Sequence, residues 1–155
     1  NVVKNCWASG IAFNAVDGVS LQDIQIVGNS VSDSDGQGIS LHGGISSAAF
    51  DEGIIISDNV ISNIKKNGIN ISNHSNVKIA GNYVNGADKG VFISSSSPGA
   101  VNISVESNTI RNTLKQGVHV YYAKQVEIMN NIIKNLCNLK FITIHIKFTM
   151  VIHSD

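Results

Sequence analysis

The chain has 155 residues, no net charge and only 14% charged side chains, which excludes the basic stripe a nucleic-acid binder carries. Arg111 is the single arginine, so paired guanidinium clamps on phosphate or carboxylate are excluded too. Apolar residues make up 43%, yet no uninterrupted apolar run approaches the ~20 residues of a membrane helix.

The chain opens in mid-pattern at Asn1-Val2-Val3, without an initiator Met, and reads as a piece of something longer. The missing secretory leader therefore carries no weight. Cys6 and Cys137 lie near opposite ends, and no Cys/His spacing resembles a zinc site. No metal or other cofactor is expected. Asn, Ser, Gly, Ile and Val dominate, a composition for strands and tight turns.

From residue 10 onward two short motifs alternate. Gly10-Ile-Ala-Phe13 precedes Ile24-Gln-Ile-Val-Gly-Asn29-Ser-Val31, and Gly38-Ile-Ser-Leu41 precedes Ile54-Ile-Ile-Ser-Asp-Asn59-Val-Ile61. Gly68-Ile-Asn-Ile71 leads to Val77-Lys-Ile-Ala-Gly-Asn82-Tyr-Val84, and Gly90-Val-Phe-Ile93 to Ile103-Ser-Val-Glu-Ser-Asn108-Thr-Ile110. Gly117-Val-His-Val120 leads to Val126-Glu-Ile-Met-Asn-Asn131-Ile-Ile133. The Asn-to-Asn spacing runs from 23 to 30 residues, the period of a solenoid.

Apolar residues two apart place both side chains on one face of a strand. Each repeat holds three such strands, too short to stand alone, because a strand cannot satisfy its own backbone groups. Coils laid on one another would pair like strands in parallel, ~4.8 Å apart, and stack the Ile and Val side chains into one core. The repeated Asn then falls at a fixed corner. There it is expected to adopt the left-handed backbone of a tight turn and to bond from coil to coil.

This pattern, over roughly residues 10 to 136, resembles the right-handed parallel β-helix repeat of the pectate-lyase-like superfamily. That group includes polysaccharide lyases, polygalacturonases, alginate epimerases and phage tailspikes. The expected fold is all-β: a single-stranded parallel β-helix of about five coils with an Asn ladder, spanning residues 1–138. Residues 139–155 depart from the repeat and read as one alternating strand, with Ile142, Ile144, Ile146, Phe148, Met150 and Ile152 on one side. This tail is open to three readings: a cap, a contact between copies in a homo-oligomer, or a stretch foreign to the repeat. Two longer connections, His42 to Gly53 and Ser94 to Ala100, interrupt the pattern, and solenoid insertions often carry function.

The resemblance implies a sugar groove along the strand that opens with the repeated Gly. Alternation puts Ser40, His42, Asn70, Ser72, Phe92 and Ser94 on its outer side as candidate substrate contacts, followed by His119 and Tyr121. The turns entering this strand add Asp33, Asp35, Lys65, Lys66, Asp88, Lys89 and Lys115. Asp35 and Asp88 lie two coils apart, ~10 Å by strand spacing, as a pair for inverting glycoside hydrolysis. Asp51 and Glu52 compete for that role. For a lyase or epimerase, His119 and Tyr121 form the candidate proton relay, and Lys89 is a further candidate substrate contact. The family's acidic calcium cluster, its catalytic arginine on this strand, and the Gly-His-Gly and Asp-Pro-His patterns are absent.

Two functions remain open. One is a carbohydrate-active protein that binds a polysaccharide and cleaves or modifies it as a lyase or glycoside hydrolase. The other is a non-catalytic binding or structural module, such as an adhesin or tailspike shaft. Either implies an extracellular, cell-surface or phage-particle setting, with no nucleic-acid partner and no membrane span.

Overall fold

The computed structural model describes residues 1–16, 19, 21–44, 51–96, 100–137 and, for the backbone alone, 140–145. Parts of both long connections, residues 45–50 and 97–99, and the tail beyond 145 lie outside the described residues.

The chain winds through three strands per turn. The first coil is β1 (Val2–Cys6), β2 (Ile11–Asn14) and β3 (Gln25–Val27). The second is β4 (Ser30–Ser34), β5 (Ile39–His42) and β6 (Ile54–Ser57). The third is β7 (Val60–Ile64), β8 (Asn67–Ser72) and β9 (Val77–Ala80). The fourth is β10 (Tyr83–Ala87), β11 (Lys89–Ser94) and β12 (Ala100–Glu106). The fifth is β13 (Thr109–Thr113), β14 (Gln116–Tyr121) and β15 (Ala123–Met129), followed by β16 (Ile132–Lys134) and β17 (Lys140–His145).

Every strand pairs in parallel with its counterparts one coil before and after, giving three sheets. The first runs β1-β4-β7-β10-β13-β16, the second β2-β5-β8-β11-β14-β17 and the third β3-β6-β9-β12-β15. This is the expected parallel β-helix. The inward residues, among them Ile39, Ile56, Ile71 and Ile110, are wholly buried in one continuous core. Each such side chain contributes about 1.5–3 kcal/mol by leaving water.

The Asn ladder is present and has one more rung than the motif displays. Asn29 donates from both its backbone N and Nδ2 to Asn59 Oδ1, at 2.9 and 3.0 Å. Asn59, Asn82 and Asn108 repeat the contact to the next Asn at 2.9–3.0 Å, ending on Asn131. Asn1 Nδ2 reaches Asn29 Oδ1 at 2.8 Å. Only the tail of the motif, Asn1-Val2-Val3, marks that rung in the sequence.

The ladder asparagines do not themselves carry the left-handed backbone expected of them. The residue before each one does: Gly28, Asp58, Gly81, Ser107 and Asn130 have φ of 54–66°. This division lets the Asn side chain turn inward while its predecessor makes the corner. Two further columns of left-handed residues mark the other corners, one at Asp23, Gly53, Asn76, Asn102 and Gln125, the other at Asn5, Asp33, Asn63, Gly86, Asn112 and Asn135.

The repeated Gly that opens the second-sheet strands has a different cause. Its backbone is ordinary, but the coil is pinched there. A Cβ added at Gly38 would lie 2.6 Å from Ile61 Cγ2 and 2.5 Å from the Gly68 carbonyl oxygen. Gly10, Gly68 and Gly90 meet the equivalent Val31, Val84 and Ile110. Glycine is needed because the second sheet passes directly over the core side chains of the first.

Lys140–His145, which the repeat pattern leaves outside the coils, forms β17 and lies in parallel register on β14, with Val118 opposite Ile142 and Val120 opposite Ile144. Over these six residues the backbone continues the second sheet, although the Gly and Asn signals of the repeat are missing from them.

Two stability predictions follow from these contacts. Asn82→Leu leaves two buried donors on Asn59 without an acceptor and should lower stability by about 2–4 kcal/mol, read from urea midpoints. Asn85→Leu, at a half-buried outward position that accepts from Asn112 Nδ2, should cost less than about 1 kcal/mol. Equal losses would refute the ladder's role. The second concerns Glu106, whose hydrogen bond to the Lys78 ammonium, and then the charge of Lys78 and a bond from Ser104, outweigh partial burial and hold its carboxyl below the ordinary 4.5. A depressed folded value means the pair stabilises above the unfolded value and that this share fades as pH falls through the folded one. The stability gap between wild type and Lys78→Met should therefore be larger at pH 7 than at pH 3. A gap independent of pH would count against the pairing.

Candidate functional site

Parallel register turns alternation along each strand into rows across the second sheet. One outward row is Ala12, Ser40, Asn70, Phe92 and His119; the other is Asn14, His42, Ser72, Ser94 and Tyr121. Every candidate substrate contact read from alternation falls in these rows, apart from Lys89 at the start of β11.

The two ends of this strip differ. Near β5 and β8 the polar groups serve one another. Asn70 Nδ2 donates to Ser40 Oγ at 3.3 Å and to Ser72 Oγ at 3.4 Å, while Asn70 Oδ1 accepts from Asn67 Nδ2 at 3.3 Å. Ser72 and Ser94 hydroxyls meet at 2.9 Å. Ser40 and Asn70 are only 8% and 7% exposed, so neighbouring groups cover them, whereas His42 stands exposed.

Toward β11 and β14 the strip becomes aromatic and cationic. The Lys89 ammonium lies 4.7 Å from the Phe92 ring centroid, and the Phe92 and His119 rings are 5.1 Å apart. Lys89 also lies 3.8 Å from Asp88, whose Oδ2 is bonded to Lys115 Nζ at 3.0 Å. The ring nitrogens of His119 are shielded from solvent. Tyr121 is exposed and packs edge-on against Tyr122, with centroids 4.2 Å apart. The hydrogen bond with Tyr122, then burial and the charge of Tyr122, raise the Tyr121 hydroxyl above its ordinary value of 10. It therefore holds its proton at neutral pH and is suited to donate one rather than accept one.

The two candidate carboxylates each meet a lysine. Asp35 is exposed and bound to Lys65 at 2.7 Å, and Asp88 is held by Lys115 and Lys89. Asp35 lines a groove of about 510 Å³ together with Asp33, Asn63, Lys65 and Asn112, and Asp88 is not among its lining residues. Asp51, the competing candidate, is wholly buried. Its Oδ1 accepts from Leu21 N at 2.8 Å and its Oδ2 from Ser75 N at 3.2 Å, with His74 Nδ1 at 2.8 Å. A carboxylate so enclosed fastens the return of the long second-coil connection to the coil above.

His74 is the residue that alternation could not reveal, since it lies between strands, is completely buried and, among the described residues, has no hydrogen-bond partner at Nε2. One signal was present: 23 residues separate Asp51 from His74, as they do Asn59 from Asn82, so the pair occupies equivalent places one coil apart.

Among the described residues no three His, Cys, Asp or Glu side chains gather closely enough to hold a metal ion. The outward rows contain no carboxylate, so they do not fit the calcium of the metal-dependent pectate lyases.

Residues 1–145 match the family described as the right handed beta helix region. The chain belongs to this family. The β-helix is also similar to the crystal structure of the periplasmic alginate epimerase AlgG and to that of a mutant of it, each with a TM-score of 0.61 and 18% identity. The match covers 96% of this chain and 44% of that enzyme, so the β-helix spans less than half of AlgG's length. No curated protein matches in sequence.

If Asp51 fastens the β-helix turn, Asp51→Leu should unfold it at markedly lower urea, by about 3 kcal/mol or more, because buried donors lose their acceptor. An unchanged midpoint would remove this pair from the structural account.

Proposed function

We propose that this β-helix lays an acidic polysaccharide along the outer face of its second sheet and modifies it by moving the proton next to a uronate carboxylate. One observation carries the reading: Lys89, Phe92, His119 and Tyr121 form a contiguous cationic and aromatic patch at one end of an unbroken polar strip. Sugar ring faces pack on aromatic faces, and a lysine ammonium offsets a carboxylate.

The proton beside a carboxylate becomes removable once a cation offsets the charge that builds up there, and Lys89 is placed for that role. His119 would take the proton. Tyr121, protonated at neutral pH, would return one from the opposite face, which inverts the centre, or deliver one to a leaving oxygen, which cleaves the chain. His42, Ser72 and Ser94 would contact the sugar beyond the reacting unit, with Ser40 and Asn70 holding the strip behind them. The likeness to an alginate epimerase supports the substrate class, and its periplasmic location supports a setting outside the cytoplasm. Hydrolysis by Asp35 and Asp88 has weaker support, because each faces its own lysine and Asp35 opens on a separate groove.

A binding role without turnover is favoured by one observation, the shielding of both His119 ring nitrogens from solvent. Incubation with alginate, pectate and other uronate polymers in deuterated water separates the readings. Proton transfer predicts deuterium at the carbon beside the carboxylate, or unsaturated uronate ends. His119→Ala and Tyr121→Phe should each lower that signal by about 100-fold or more, and Lys89→Met should weaken binding of acidic chains. Saturable binding with neither product leaves the binding role, and neither binding nor product on any polymer sinks both.

A further inference from the structure

The groove beside Asp35 has a specific origin. In the column of left-handed residues Asn5, Asp33, Asn63, Gly86, Asn112 and Asn135, only the fourth position lacks a side chain. The side-chain bonds of the column divide there. Asn63 Nδ2 turns to Asp33 Oδ1 at 2.9 Å, and Asn112 Nδ2 turns to Asn85 Oδ1 at 2.6 Å. The turn that follows is also one residue shorter in this coil: Ala87 to Gly90 is three steps, whereas Cys6 to Gly10, Ser34 to Gly38, Ile64 to Gly68 and Thr113 to Gly117 are four. A missing side chain and a retracted turn together leave a groove of about 510 Å³. That volume falls in the ~300–1,000 Å³ range of small-molecule sites.

We propose that this groove is a second carbohydrate site, taking a neutral sugar unit, at the corner between the first and second sheets. Its floor is Ile64 and Ala87, both buried, and Leu114, 56% exposed, forms an apolar wall. Around these stand the carboxylates of Asp33 and Asp35 and the amides of Asn63 and Asn112. Carboxylates accept from hydroxyls, and amides both donate and accept, so the set matches adjacent hydroxyl groups on a sugar ring. The single lining cation, Lys65, is bound to Asp35. Hydrogen bonds from Asn63 and Ser32 hold the Asp33 carboxyl below its ordinary 3.8, so it is charged at neutral pH. The wall is thus net anionic and repels uronates and phosphates, the opposite preference to that of the Lys89 patch.

Gly86→Asn tests the site without threatening the fold. The backbone there, at φ +77°, is one that Asn tolerates, and an added Cβ would meet nothing closer than Asn63 N at 3.6 Å. Its amide would fill the gap between Asn63 and Asn112. Backbone-amide NMR shifts would be followed in the intact chain during titration with neutral oligosaccharides of glucose, mannose and galactose, and separately with oligo-uronates. The expected result is that a neutral sugar shifts the Asn63, Asn112 and Leu114 signals. Gly86→Asn should weaken this by about tenfold or more while leaving circular dichroism and melting temperature at or above wild type. Leu114→Glu, on an exposed position, should weaken it likewise and provides a second test should Gly86→Asn misfold. No shift at these residues with any neutral sugar, equal binding by both variants, or stronger binding of oligo-uronates here would overturn the proposal. Shifts at Phe92 and His119 with oligo-uronates report the strip independently, so either site can fail alone.

Discussion

Strands of three to seven residues leave every backbone N–H and C=O pointing along the axis of the coil, and only another coil can meet them. This requirement governs the rest of the molecule. It forces counterparts into parallel register, which superimposes Ile on Ile and Asn on Asn. Once the register is set, a corner that buries a polar group must bury it in every coil. The Asn side chain suits that position because one amide can accept from the coil before and donate to the coil after. The left-handed turn beside it is delegated to the preceding residue, where Gly, Asp, Ser and Asn all occur.

The sheets permit little variation, so the variation appears at the corners. A one-residue shortening at Ala87–Gly90 and a bare glycine at position 86 open a groove. A long connection after His42 is drawn back by a buried carboxylate and imidazole. Along the second sheet, outward residues do not enter the apolar core, and there Phe92, His119 and Tyr121 gather next to Lys89. Architecture and chemistry therefore reside in different residues of the same coil.

That separation explains what could be read from the residues alone. Apolar residues two apart and the recurring Asn state the strand, its face and its stacking, so the β-helix, its ladder and the outward rows were all legible. The reason for the Gly column was not, because a clash with Ile61 from the neighbouring sheet is a three-dimensional fact with no local signature. The same holds for Ser40 and Asn70, which alternation places outside and the structure buries. The lysine partners of Asp35 and Asp88 were not legible either, because Lys65 and Lys115 come from neighbouring coils. His74 escaped notice because only the coil period, not any motif, ties it to Asp51. The tail strand β17 escaped because it keeps the alternation while losing both markers.

The ladder also has a sense of direction. From Asn1 to Asn108, each side-chain amide presents its nitrogen to the oxygen of the next one, and none is reversed. The amide dipoles are therefore aligned head to tail down one edge of the solenoid, each polarising its neighbour. A fixed chain of this kind acts like a wire of partial charges through the interior, positive toward the later coils. A coil out of register would break its continuity, so the line of amides favours the one stacking in which Asn meets Asn.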